Sequence, residues 1–270
     1  AIASTSTRPR IMLGKAFGKF GSQGRDALAR GIINSGISPN WLTATGVLIN
    51  AIAGALLIVG ALATPPGRLN WWHALAGIVI FVGNTFDMLD GAVARMSGRV
   101  TKFGAFIDSV TDRYSDMLLF CGAITYFAIR EDLALIVISV LALMGSIMTS
   151  YTRARAESVL PGKFNSGFME RPERIVAFAV ASLFSHLYAG MICIAIFGNI
   201  AAFHRIWDVR KISMNLEHPE QARQGYGSMN APVAIQAARQ LIFWTYPRKT
   251  WQHDLLCVVI FISLVAAPLR

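Results

Sequence analysis

The stretch Phe86–Asp112, FDMLDGAVARMSGRVTKFGAFIDSVTD, decides how this chain is read. It sets Asp87, Asp90, Asp108 and Asp112 into sequence that is otherwise apolar enough for a membrane. A charged side chain at a bilayer centre costs roughly 2.5–3.5 kcal/mol, so these four and nearby Asp116 would together cost roughly 12 kcal/mol or more against lipid. They must face one another, water or a metal. Successive helical residues lie about 100° apart. Asp87, Asp90, Gly91 and Ala94 therefore share one stripe, and Gly104, Asp108, Thr111 and Asp112 share another on the next helix. Ser97-Gly98 breaks the chain between them. Asp90 stands about two turns before that break and Asp108 about two turns after it, so the carboxylates meet at one depth near one surface.

Four oxygen donors with no Cys or His suit a hard divalent cation, Mg²⁺ or Mn²⁺. Carboxylates this close repel one another, and two cations would relieve the repulsion and clamp a phosphoryl group. Gly91 and Gly104 leave the backbone open to a bulky ligand. Arg95 and Lys102 stand at the mouth, where phosphate would meet them.

The rest of the chain agrees with a membrane setting. Of 270 residues, 54% are hydrophobic and 15% charged, which excludes an ordinary soluble domain. The net charge of +10 reflects its distribution rather than a nucleic-acid partner. Arg and Lys crowd the N-terminus, the 95–102 loop, the 153–174 loop and the stretch after 205, while the opposite loops offer little beyond Arg68 and Arg130. Cys121, Cys193 and Cys257 lie in apolar runs without metal-ligand spacing and read as buried small hydrophobes. The first twenty residues hold no long apolar core, so no signal peptide is expected.

The fold expected is an all-α integral membrane protein: a six-transmembrane-helix bundle with an N-terminal interfacial amphipathic helix and a C-terminal extension. Residues 1–35 form the interfacial helix, with Arg8, Arg10, Lys15, Lys19, Arg25 and Arg30 interleaved with Ile11, Leu13, Phe17 and Phe20. The core is 36–212, with spans at about 41–63, 71–96, 102–129 and 133–154 and a hairpin of two over 174–207, bent near Ser185-His186. Trp71 and Trp72 anchor the second span at an interface. Gly54, Gly60, Gly77 and Gly83 allow close helix approach. Residues 213–270 turn polar and end in a short apolar run, Leu255–Leu269. Both ends of the core lie on the cytoplasmic side by the charge bias.

The central stretch also fits D-x2-D-G-x2-A-R-x8-G-x3-D-x3-D at all eight fixed positions: Asp87, Asp90, Gly91, Ala94, Arg95, Gly104, Asp108 and Asp112. In this it resembles the CDP-alcohol phosphotransferase family, over about residues 30–212. The resemblance implies that Asp87, Asp90 and Asp108 are metal ligands and that Asp112 joins the second metal or acts as general base. It assigns Asp90, Gly91, Ala94, Arg95 and Gly104 to the CDP moiety. Pro39, Asn40 and Thr43 resemble the family's short motif over the nucleotide, and read equally well as a helix start. The implied reaction moves a phosphatidyl group from a CDP-linked lipid to an acceptor hydroxyl, with CMP leaving. The implied protein is a homodimer in the cell membrane, its site facing the cytoplasm.

The segment SYTRARAESVLPGKFNSGFMERPER carries Arg153, Arg155, Lys163, Arg171 and Arg174. Such a cluster would hold a phosphorylated polyol by bidentate contacts, with Lys102 adding charge, or would simply anchor the cytoplasmic face. The pairing of YTRARAE with ERPER resembles the phosphatidylinositol-phosphate synthase branch, which implies an inositol phosphate as acceptor; glycerol 3-phosphate, inositol and serine are the competitors. Outside this class stands a metal-ion transporter. Asp116 reads as a structural partner of Arg113 or a cap on the metal site. His73, His186 and His204 have no partner spacing and read as interfacial or packing residues.

Overall fold

The computed structural model describes residues 24–35, 38–65, 68–98, 100–160 and 169–217. The expected interfacial residues 1–23, Lys163 and the apolar run Leu255–Leu269 lie outside the described residues. Within them the chain is helical: α1 (24–34), α2 (Pro39–Ala63), α3 (Trp71–Met96), α4 (Lys102–Ile129), α5 (Leu133–Val159), α6 (Arg171–Leu183) and α7 (Leu187–Glu217).

The boundaries follow local chemistry. Pro39 opens α2, where its missing N–H costs nothing and its φ already suits a helix. Asn70 caps α3 by accepting from Trp72 N at 3.1 Å. Thr101 caps α4 by accepting from Gly104 N at 2.9 Å. Asp132 caps α5 by accepting from Leu135 N at 3.0 Å. Between α3 and α4 the chain turns through Gly98 at φ +68°, a conformation that glycine adopts without a Cβ clash. The bend between α6 and α7 is as expected, at Ser185, whose hydroxyl donates to Asn70 O at 3.1 Å.

Packing divides the bundle into neighbours. α2 lies against α3 and α4, α5 against α7, α3 against α6, and α4 against α5. The α2–α4 crossing depends on glycine: a Cβ on Gly54 would lie 2.8 Å from Leu118 O, and one on Gly122 2.6 Å from Gly54 Cα. The main core gathers Leu57, Ile80, Leu119, Phe120, Phe178 and Met191. A smaller cluster seats α1, with Ala29 buried and Ile32 and Ile33 packed against Leu42, Leu89 and Val93. Residues 24–34 thus dock one apolar face on the bundle.

Four helices, Trp41–Ala63, Trp71–Met96, Leu133–Val159 and Leu187–Met214, are long and apolar enough to cross a membrane. α4 carries Asp108, Asp112, Arg113 and Asp116, which lower its hydropathy. α6 has 13 residues, about 20 Å of helix against a hydrocarbon core of about 30 Å. The protein is an all-α, multi-pass membrane protein.

Candidate active site

α3 and α4 follow one another across the Gly98 turn, and acidic residues of both converge. Ligand oxygens of Asp87, Asp90 and Asp108 all lie within 4.8 Å of one another. Asp90 is buried and accepts from Thr43 Oγ1 of α2 at 2.6 Å, so the N-terminal part of α2 is tied to the acidic cluster. Three carboxylates with no nitrogen or sulfur donor fit a small, hard divalent cation.

Two cavities flank the cluster. One, about 360 Å³, is lined by Thr43, Asp90, Gly91, Arg95, Gly104 and Asp108 among others. Ala94 lines it as well. Thr43 and the five residues that the motif assigns to CDP are thereby gathered around one space. Pro39 and Asn40 begin α2, and their side chains lie outside the described residues. The glycines matter sterically here: a Cβ on Gly91 would stand 3.3 Å from Arg95 Nη1, and one on Gly104 2.9 Å from Thr101 Oγ1.

The other cavity, about 440 Å³, is lined by Asp112, Arg153, Glu170, Arg171, Arg174 and Arg205 among others. Its arginines are held in different ways. Arg174 is 1% exposed, and its Nε, Nη1 and Nη2 donate to Ser146 Oγ, Met169 O and Ser150 Oγ at 3.0, 2.7 and 3.2 Å. Arg153 Nη1 reaches Glu170 Oε2 at 3.4 Å. Arg171 Nη1 hydrogen-bonds Asp87 Oδ2 and lies 2.9 Å from Asp112 Oδ1, while its Nε donates to Asp116 Oδ1 at 3.1 Å. Lys102 and Arg155, expected at the acceptor phosphate, are exposed and line neither cavity. Both follow from helix phase: Arg155 points away from Arg153's side of α5, and Lys102 is the exposed first residue of α4.

Two expectations are corrected. Asp116 does not take Arg113, whose guanidinium donates to Ser109 O on its own helix. It faces α6 instead, with Arg171 at 3.1 Å and Arg174 at 3.9 Å. His204 has a partner, Asp208 at i+4, 3.2 Å away. Sequence reasoning missed Arg205, which is 2% exposed and donates to Thr149 O. The signal was available: an arginine within the apolar stretch that ends at Trp207 needs a buried acceptor.

The family model described as CDP-alcohol phosphatidyltransferase matches residues 36–207. An archaetidylinositol phosphate synthase of Pyrococcus horikoshii is 36% identical over 186 residues, 69% of this chain and 90% of that protein. A phosphatidylinositol phosphate synthase of Mycobacterium tuberculosis is 40% identical over 152 residues, 55% of this chain and 64% of that protein, just under two thirds of its length. Among solved structures, the Mycobacterium tuberculosis phosphatidylinositol phosphate synthase with CDP-DAG bound superposes with a TM-score of 0.60 at 30% identity, over 68% of this chain and 92% of that one. The same enzyme with manganese and citrate also gives 0.60, over 68% of this chain and 88% of that one. With its motif in register and the family model spanning the six helices that build both cavities, the chain belongs to the CDP-alcohol phosphatidyltransferase family.

Proposed function

We propose that the chain is a metal-dependent phospholipid synthase that transfers a phosphatidyl group from CDP-diacylglycerol to a hydroxyl of a phosphorylated polyol, an inositol phosphate, and releases CMP. One observation carries this reading: the acidic motif faces two cavities at once, Asp90 and Asp108 the glycine-lined one and Asp112 the arginine-lined one. A transferase needs donor and acceptor on either side of the reacting phosphorus.

Asp87, Asp90 and Asp108 would hold the metal, with Asp112 completing a second position, and Mg²⁺ or Mn²⁺ there would neutralise charge on the pyrophosphate. Thr43 orients Asp90 through its hydrogen bond. Gly91 and Gly104 let the nucleotide approach the backbone, and Arg95 meets its phosphate. Arg153, Arg171 and Arg174 attract the acceptor's phosphate, which a neutral acceptor would not require. Asp112 takes the proton of the acceptor hydroxyl. The oxygen attacks the lipid-side phosphorus, the bond to the CMP phosphate breaks, and CMP departs.

The same reading extends to the whole molecule. α4 and α6 complete six spans, their charged ends sheltered by neighbouring helices, and the Arg and Lys bias puts the site on the cytoplasmic side of the cell membrane. Residues 1–35 lie at the interface, 36–212 form the catalytic core, and 213–270 are an extension. A homodimer is inferred from the family resemblance.

The test is CMP release by purified protein given CDP-diacylglycerol and Mg²⁺, with inositol 1-phosphate, glycerol 3-phosphate, inositol or serine in separate reactions. Turnover with inositol phosphate is expected. Turnover only with a neutral acceptor would overturn the acceptor assignment, and binding of metal without any CMP release would overturn the transferase.

A further inference from the structure

We propose that Arg171 is a counter-ion exchanged between the metal site and the acceptor phosphate. It holds the carboxylates that a second divalent cation needs, and loading that cation frees its guanidinium for the acceptor cavity. This rests on the phosphotransfer reading above.

Asp112 lies beside Asp87 and meets a cation of α6. Asp87, Asp90 and Asp108 cluster without it. Asp112 Oδ1 instead lies 2.9 Å from Arg171 Nη1, the same nitrogen that bonds Asp87 Oδ2. One guanidinium therefore bridges two motif carboxylates from two helices. Mg²⁺ demands oxygen ligands at about 2.0–2.1 Å in near-octahedral geometry. A cation so bound to Asp87 and Asp112 and a guanidinium on the same carboxylates would repel each other, so occupancy by one weakens the other.

Arg171 also has somewhere to go. It lines the 440 Å³ cavity beside Arg153 and Arg174. Its Nη2 is buried and has no hydrogen-bond partner, so half of its fork is unused where it stands. A phosphate oxygen pair would satisfy both arms. Asp116, bonded to Nε, lines the same cavity and keeps the base of the fork beside it. Arg174 contrasts with it: each of its three nitrogens is already bonded within the protein, so it stays in place. By linkage, the second metal would tighten phosphate binding and phosphate would tighten the second metal by the same factor.

The experiment follows Mn²⁺ binding to the full chain in detergent by the paramagnetic resonance signal of free Mn²⁺, with no CDP-lipid present. Arg171→Gln and Arg171→Met should bind the second Mn²⁺ about tenfold more tightly than the unmodified protein, and Arg171→Lys should not. Inorganic phosphate should strengthen the second Mn²⁺ in the unmodified protein and much less in the two neutral variants. Unchanged or weaker second-site affinity in the neutral variants overturns the exchange. A measurement on the unmodified protein stands beside these in case the variants fold poorly. Labelling of Arg171 by an arginine-specific glyoxal, mapped by mass spectrometry, should rise severalfold with Mn²⁺ and fall again with phosphate. Labelling indifferent to Mn²⁺ also overturns it. Failure of CMP release in the unmodified protein would remove the transferase reading while leaving these binding results readable.

Discussion

The two cavities are built by different means. The donor-side cavity takes all its motif residues from two consecutive helices, Asp90 to Asp108, with Thr43 added from α2. The arginine-side cavity draws on α4, α5, α6 and α7, from Ser109 to Arg205. The first is fixed by spacing along the chain, so its residues can be listed before any packing is known. The second exists only once four helices have docked, and its cations are sorted by what buried acceptor each one finds.

The largest expected effect lies where the cavities meet. Asp112→Asn should lower kcat for CMP release by about 10²–10⁴-fold, the range for loss of a general base, while donor binding persists; near-normal turnover would place the base elsewhere. Next, Arg174→Leu removes a buried cation that holds Met169, Ser146 and Ser150, and leaves Asp116 with one partner fewer. It should cost about 3–5 kcal/mol, read as a fall in the midpoint of thermal unfolding in detergent. A stability unchanged by this variant would mean that the arginine-side cavity is not held together by its own network.

Thr43→Val tests the independence of the two cavities. It removes the 2.6 Å bond to Asp90, and a hydrogen bond to a charged group is worth about 1.5–3 kcal/mol. KM for the CDP-lipid should rise at least about tenfold, with KM for the acceptor unmoved; equal changes in both would break the comparison. The smallest effect sharpens it. Arg153→Ala should raise the acceptor KM by about fivefold, as expected for a partly exposed contact. Arg155→Ala, two residues on and outside the cavity, should change it by less than about twofold. Reversed magnitudes would place the acceptor phosphate outside the arginine-side cavity.

Much of the helical layout was legible. The bounds of α3 and α4 follow from their caps, and the break at Gly98 from its left-handed backbone. The Ser185 bend was legible because the apolar run 174–207 is too long for one span and Ser185-His186 interrupts its middle. The short α6 was less so, since a hydrophobic run does not reveal how much of it is needed to cross a bilayer. Among site residues, the cluster of Asp87, Asp90 and Asp108 was legible because helix periodicity is a property of the sequence. The choice among Arg153, Arg155, Arg171 and Arg174 was not, because four cations close in sequence look alike until their partners are known. Asp116 shows the same limit: Arg113 is near it in sequence, and Arg171 is near it in space.

The sequence by itself determined the membrane setting, the acidic motif and the face of each helix that carries it, since these depend on hydropathy and on the 3.6-residue period alone. Only the tertiary structure decided that Thr43 braces Asp90, that Arg171 bridges Asp87 and Asp112, and that Arg205 lies buried at the arginine-side cavity against Thr149 O. The contacts of Thr43 with Asp90 and of Arg171 with Asp87 and Asp112 join residues 47, 84 and 59 positions apart, and no local pattern encodes which buried charge a distant helix will deliver to which acceptor.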